Sequence, residues 1–397
     1  MKTITPITTG LERWLDGDAQ PLPGGSSVGL VLHAASVDAA ARHALERLAG
    51  DDRFRLRRLF AAEHGLHGHE QDMEQVCRVT DRGTGLPVVS LYGDGPDSLR
   101  PRPEDLEGLD AVVFDMQDVG SRYYTFVYTL SYVMEAARDA GVAVVVLDRP
   151  NPLGGKRLEG PVLHPDLSSF VGRYPLPVRH GMTVGELARL FNEEASIGCD
   201  LRVVEMHGWH RSMLFAETGL PWVPPSPNMP TTTTCTVYPG GCLIEGTNLS
   251  EGRGTTTPFE LVGAPWLDGE RLATALRGAE LDGVLFRPAS FRPMFQKHAG
   301  ESCAGVQVIV QDVRLFRPFA TYLGLIGQVR GQAPDLFAWR TEPYEFETTR
   351  LAIDLLLGQR DLRAMLESGA TAREMERTWL PDLQLFAEER RPYLLYD

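Results

Sequence analysis

The sequence predicts an α/β protein: a Rossmann-like, mostly parallel sheet domain followed by a second, smaller α+β domain. Three observations carry this reading. Short apolar runs rich in Val, Leu and Phe recur through the first 150 residues, with helical stretches between them. Most of those runs lack the polar alternation of a half-exposed strand, as strands covered on both faces do. Beyond about residue 240 the pattern changes to a mixture of strands and helices, so the expected division is 1–240 for the Rossmann-like catalytic domain and 241–397 for the α+β auxiliary domain.

In chain order the strand candidates are "SVGLVLHA", "FRLRRLFAA", "LPVVSLY", "DAVVFDM" and "VAVVVLD". Helices are expected over 37–49 and 125–141, the latter ending on Gly141, with a short turn near 103–107. Such alternation implies layers joined by right-handed crossovers. Thr183 and Glu186 form a capping-box pattern at the head of "MTVGELARLFNEEA", and the strand "LRVVEM" follows. The prolines of "GLPWVPPSPNMPTTTT" oppose both helix and central strand, so 219–234 is expected to cross extended between the domains. The second domain should hold the strands "GVLFRPASF" and "CAGVQVIVQDV" and the helices "RLATALRG" and "TRLAIDLLLG".

Composition excludes several functions. A formal charge of −14 argues against nucleic acid or an anionic membrane as partner, and an anionic small substrate would need arginines gathered locally. Five scattered cysteines without CxxC spacing point to buried free thiols, not to a disulfide framework or thiolate zinc site. No stretch approaches the roughly 20 apolar residues of a membrane span. The opening "MKTITPITTGLERWL" lacks an apolar signal-peptide core, so a cytoplasmic location is expected. No G-x-G-x-x-G follows the first strand, and no phosphate-binding P-loop occurs. "GSSVG" at 25–29 precedes a strand and lacks the strand-to-helix context of a serine-hydrolase elbow. No cofactor is expected.

The chemistry collects where strands end, because open parallel sheets bind ligands outside their carboxyl ends. The five strands run out into His33, then Glu63 and His64, then Tyr92 and Asp94, then Asp115, Gln117 and Asp118, and finally Asp148, Arg149 and Asn151. In "LFAAEHGLHGHEQD" an apolar run breaks into Glu63, His64, His67, His69, Glu70 and Asp72. A metal-dependent hydrolase built on His64, His67 and His69 is one reading. However, H-x-x-H-x-H is not an established zinc spacing, and Gly65 and Gly68 would leave the ligands poorly fixed. Glu63, at a strand end and backed by apolar residues, better fits a general acid that protonates a leaving oxygen near neutral pH, and no metal is expected. "FDMQDVGSRYYTF" adds Asp115, Asp118, Arg122, Tyr123 and Tyr124, which supply either the second carboxyl that a glycosidase needs or an ion pair with Arg122. "EGTNLSEGRGTTTPFE" sets Glu245, Asn248, Glu251 and Arg253 among glycines, as a ligand-gripping loop or as ordinary turns.

Eight segments in order, "AAEHGLHG", "TGLPVVSLYG", "FDMQDVGSRYYTF", "VLDRPNPLGG", "PVRHGMTVGELA", "WVPPSPNMPT", "EGTNLSEGRGTTTPFELVGAPW" and "YLLYD", resemble the DUF1343 family, which includes exo-β-N-acetylmuramidases of the NamZ type. The resemblance runs from about residue 28 to the C-terminus. It implies a Rossmann-like domain plus an auxiliary domain with the active site in the cleft between them. It also implies hydrolysis of the β-1,4 bond that links a non-reducing-end N-acetylmuramic acid to N-acetylglucosamine in peptidoglycan fragments. Glu63, in the family's EHG motif, is then the expected acid. Members often carry Asn where His33 aligns and are often exported, whereas this chain shows no export signal. A wall-fragment sensor that kept the cleft without turnover is the alternative from another class.

The implied substrate sharpens the remaining assignments. A lactyl carboxylate calls for a guanidinium, with Arg122, Arg149 and Arg253 as candidates. The 2-acetamido group would need a carboxylate to orient it and a tyrosine to bond its oxygen: Asp115 or Asp118, with Tyr123 or Tyr124. His64, His180, Asn151 and Asn228 are assigned to substrate hydrogen bonding.

Overall fold

The computed structural model describes residues 6–68, 79–93 and 95–397. Its main sheet has seven strands: β1 (Ser26–Leu32), β2 (Phe54–Ala61), β3 (Val79–Thr80), β4 (Pro87–Ser90), β5 (Ala111–Asp115), β6 (Ala143–Leu147) and, after the β7 (Glu159–Val162) and β8 (Pro177–Arg179) pair, β9 (Leu201–Val204). The order across the sheet is β3-β4-β2-β1-β5-β6-β9. All neighbours pair parallel except β3, which runs antiparallel along the edge of β4. Without that edge strand the order is that of a doubly wound Rossmann sheet, with its switch point between β1 and β5. The α/β class and the Rossmann-like domain expected from the sequence are therefore present. Side chains of β5 and β6 are buried throughout, which explains why those runs show no alternation.

The second half of the chain builds a three-stranded antiparallel sheet, β10-β12-β11, from β10 (Leu261–Ala264), β11 (Val284–Phe291) and β12 (Cys303–Val310). Helices Gly269–Arg277 and Pro318–Gln332 and the long C-terminal helix Ala372–Glu389 accompany it. One hydrophobic core runs through both halves, from Phe60 and Phe114 under the first sheet to Leu356 and Trp379 in the second. The C-terminal residues return to the first half: the Tyr396 hydroxyl donates to Asp148 Oδ2 at 2.6 Å, and Leu395 N donates to Glu186 Oε1 at 2.8 Å.

Two segments differ from expectation. The helix expected over 37–49 forms only from Ala44 to Ala49. Asp38 Oδ1 accepts from the backbone N–H groups of Ala40 and Arg42, and Ala41 takes a positive φ of 59°. A short acidic side chain thus captures the N–H groups a helix would have used. The proline-rich segment runs without helix or strand to Thr231, but its final threonines open helix Thr232–Gly241, with the Thr231 hydroxyl accepting from Thr234 N at 3.1 Å. Elsewhere the expected stops hold: Gly141 closes helix Phe126–Ala140 at φ 69°, and the Thr183–Glu186 capping box opens helix Val184–Glu194. Four cysteines are buried free thiols, and Cys77 lies outside the described residues.

Candidate active site

At the switch point the strand ends turn toward each other. Arg149, after β6, donates from Nε and Nη2 to the two oxygens of Asp115 at 2.5 and 2.8 Å, and from Nη1 to Val37 O at 2.9 Å. The pair is fully buried. His33 Nε2 accepts from Gln117 N at 2.9 Å, and its imidazole is driven well below its usual range by burial and then by the Arg149 charge. It is therefore a neutral acceptor. The crevice that would receive a dinucleotide in a Rossmann enzyme is filled by this network, in keeping with the absent glycine turn.

The open cleft lies beside it. One wall begins at the end of β2, where the chain turns over Ala62–Gly65 with Gly65 N donating to Ala62 O at 3.0 Å. His64 adopts φ 68°, a left-handed conformation uncommon for a residue with a side chain. That turn directs Glu63 to Thr125, whose hydroxyl donates to Glu63 Oε2 at 2.7 Å. Thr125 is the N-cap residue of helix Phe126–Ala140, so a strand end and a helix start share one hydrogen bond. Tyr124, Tyr238 and Phe259 continue the wall edge to face, with centroids 5.9 and 5.0 Å apart. Burial pushes the Tyr123 and Tyr124 phenols well above their usual range, so both stay protonated as hydrogen-bond donors.

The facing wall comes from the second half. Arg253 Nη2 donates to Glu245 Oε1 at 2.8 Å, and the Tyr344 hydroxyl donates to Glu245 Oε2 at 2.7 Å. Arg253 lies over the Phe259 ring, 5.1 Å from its centroid, and its Nε is 3.5 Å from Glu251. Behind it, Lys297 Nζ sits 2.7 Å from Glu251 and donates to Ile244 O and Thr247 O. Glu345 completes this wall and accepts from the Tyr92 hydroxyl at 2.9 Å, a bond that crosses from the C-terminal half to the end of β4.

The structure therefore brings Glu63, His64, Tyr123, Tyr124, Asn228, Glu245 and Arg253 to one cleft. Other sequence candidates lie elsewhere. Asp115 and Arg149 are engaged with each other. Asp118 accepts from Gly120 N at 2.7 Å and lies 3.6 Å from His180 Nε2, a buried pair outside the cleft wall. Arg122 is fully buried and donates to Pro161 O, Leu176 O and Leu356 O. Asn151 bonds Met182 O and Leu153 N, and Asn248 bonds Leu336 O and Ala338 N, so both hold loops in place. His67 is exposed, while His69, Glu70, Asp72 and Asp94 lie outside the described residues. Among the described residues no group of three His, Cys, Asp or Glu side chains is placed to hold a metal ion. Nor is any described helix long and apolar enough to cross a membrane.

Sequence reasoning missed Thr125, Ser226, Tyr238, Phe259, Tyr344 and Glu345, all of which line the cleft. Thr125 lies within the segment "FDMQDVGSRYYTF", where the neighbouring tyrosines drew the assignment. Tyr344 and Glu345 sit in "EPYEFE", which carries no spacing signal.

A Rossmann-like sheet without a nucleotide loop carries a two-walled cleft lined, among the described residues, by carboxyl groups, phenols and one guanidinium, groups that glycoside hydrolases employ. Comparison with known proteins shows the family. The N-terminal family model of the exo-β-N-acetylmuramidase NamZ matches residues 28–233, and the C-terminal one matches residues 236–396. The chain belongs to this family. It is 44% identical over 390 residues to the peptidoglycan β-N-acetylmuramidase NamZ of Bacillus subtilis (strain 168), covering 98% of this chain and 91% of that one. Two DUF1343 family proteins of Bacteroides fragilis share the fold. One has a TM-score of 0.90, with 32% identity and all of both chains covered. The other has a TM-score of 0.75, with 25% identity and 99% of each chain covered.

Proposed function

We propose that this chain is an exo-β-N-acetylmuramidase, which removes N-acetylmuramic acid from the non-reducing end of peptidoglycan fragments by hydrolysing its β-1,4 bond to N-acetylglucosamine. The observation that carries the reading is Glu63, set at a strained strand end and held by Thr125 in a cleft whose only lining guanidinium, among the described residues, is that of Arg253. Glu63 donates its proton to the leaving O4 of N-acetylglucosamine. Arg253 attracts the lactyl carboxylate, which an otherwise acidic protein would repel. His64, Asn228 and Tyr124 bond the hydroxyl and acetamido groups. In this reading residues 1–240 form the catalytic domain and 241–397 the auxiliary domain that supplies the facing wall.

Incubation with a MurNAc–GlcNAc disaccharide tests bond, end and product together. The wild-type protein releases both monosaccharides, and Glu63→Gln lowers kcat by about 10²–10⁴-fold while it still binds the disaccharide. Binding without hydrolysis by the wild type would identify a sensor instead. Chelator-induced loss of hydrolysis, restored by zinc, would identify a metal-dependent hydrolase.

A further inference from the structure

Thr125 stands where a threonine side chain ordinarily serves a helix. It is the N-cap residue of helix Phe126–Ala140, and threonine at an N-cap usually accepts a hydrogen bond from a backbone N–H of the first turn. Here the side chain makes no capping bond. Its hydroxyl instead donates to Glu63 Oε2 at 2.7 Å. A side chain placed to stabilise its own helix is thus turned onto the acid of the cleft. We propose that Thr125 is the positioning residue of the general acid, which holds Glu63 with its proton on Oε1 and aligned with the glycosidic oxygen; this rests on the muramidase reading above.

Both ends of the bond are anchored. Thr125 O accepts from Tyr128 N at 2.9 Å and from Thr129 N at 3.0 Å, which ties its backbone into the helix. Its side chain is β-branched and buried, and it lines the cleft together with Glu63. On the strand side, Glu63 precedes the left-handed His64, whose ring meets that of Phe126 edge to face with centroids 6.4 Å apart. Two successive residues of the strand end therefore dock on two successive residues of the helix start. Among the described residues, the Glu63 side chain has no hydrogen-bond partner other than Thr125. The carbonyl-type oxygen of a carboxylic acid is a better acceptor than its hydroxyl oxygen. A donor fixed on Oε2 therefore assigns the proton to Oε1.

In the reaction the proton leaves Oε1 for the glycosidic oxygen while the C1–O bond breaks, its electron pair going to that oxygen. Water adds to C1, and the proton it releases restores Glu63. Oε2 keeps the Thr125 hydroxyl in both protonation states, so the carboxyl stays in line. Loss of this anchor misplaces the proton, and an error of about 1 Å costs on the order of 10²-fold in rate.

The test uses two substrates that differ in their need for an acid. One is the MurNAc–GlcNAc disaccharide; the other is a dinitrophenyl β-N-acetylmuramide, whose phenolate departs without a proton. Thr125→Val removes the hydroxyl and keeps the branching. It is expected to lower kcat on the disaccharide by about 10–10²-fold, with KM changed less than about threefold. The loss on the aryl muramide is expected to be smaller by about tenfold or more. Thr125→Ser, which returns the donor, is expected to recover most of the disaccharide turnover. Equal losses on both substrates, an unaltered kcat on the disaccharide, or a serine variant no better than valine overturns the assignment. If Thr125→Val fails to fold, Thr125→Ala is read by the same ratio of losses. Glu63→Gln on the same pair keeps the two readings apart. A selective loss in Glu63→Gln with none in Thr125→Val overturns the positioning role alone. Equal losses on both substrates in Glu63→Gln, or an inactive wild type, overturn the reading of Glu63 as the acid, and this inference with it.

Discussion

Arg122 illustrates how a residue suited to one task is used for another. A guanidinium beside two tyrosines matches a substrate carboxylate, yet its donors reach three backbone carbonyls, on Pro161, Leu176 and Leu356. Those carbonyls come from both halves of the chain. Lysine keeps the charge but lacks the planar fork that reaches several acceptors at once. Arg122→Lys is therefore expected to lower stability by about 3 kcal/mol, read in urea unfolding, since charged hydrogen bonds to buried carbonyls are lost. Its KM for the disaccharide should change less than about threefold. A large KM effect with unchanged stability would place Arg122 at the substrate instead.

At the scale of elements, helix ends and strand ends do most of the positioning. Helix Ala352–Leu357 stops at Gly358, with φ 71°, and a Cβ there would come 2.6 Å from the Arg122 guanidinium. Gly358→Ala combines a disfavoured backbone with a steric conflict at a buried charge, and is expected to cost about 1–3 kcal/mol, seen as a lower Tm. The same scale explains what was readable from sequence. Glu63 was legible because an apolar run ending in a charged turn marks the rim of a parallel sheet, and Tyr124 because it precedes the helix after β5; Thr125, beside it, was not singled out. Asp115 and Arg149 sat at equivalent strand ends, but whether such a pair faces a ligand or each other depends on the gap between β1, β5 and β6, which no local pattern records. Glu345 was invisible for a different reason. Its position depends on Tyr92, more than 250 residues earlier, and on a loop without glycine where glycine would have flagged the left-handed turn.

At the scale of the molecule, the two halves are joined by buried charge as well as by a common core. Glu159, on β7, pairs in register with Arg179 on β8 and accepts from Ala320 N at 3.2 Å in helix Pro318–Gln332. Burial pushes its carboxyl up to about 7 and pulls the Arg179 guanidinium down to about 10. A carboxyl raised above its ordinary value of 4.5 binds a proton more readily in the folded state, so its contribution to stability falls as pH rises from 4.5 to about 7. Glu159→Gln removes that titration. Its Tm is expected to decline less than that of the wild type between pH 5 and pH 8, by on the order of 2 °C in scanning calorimetry. Parallel curves for the two proteins would show that Glu159 does not titrate in that window.

The cleft has a parent on each side: the end of β2 contributes one bank, and the loop around Tyr344 contributes the other. Genetic exchange among cousins of this protein therefore meets a seam in the middle of its chemistry. A chimera that takes its front from one species and its back from another inherits two surfaces that were never selected to face each other across the same sugar. Its fitness depends on Tyr92 finding a matching acid, so front and back are expected to travel together through evolution.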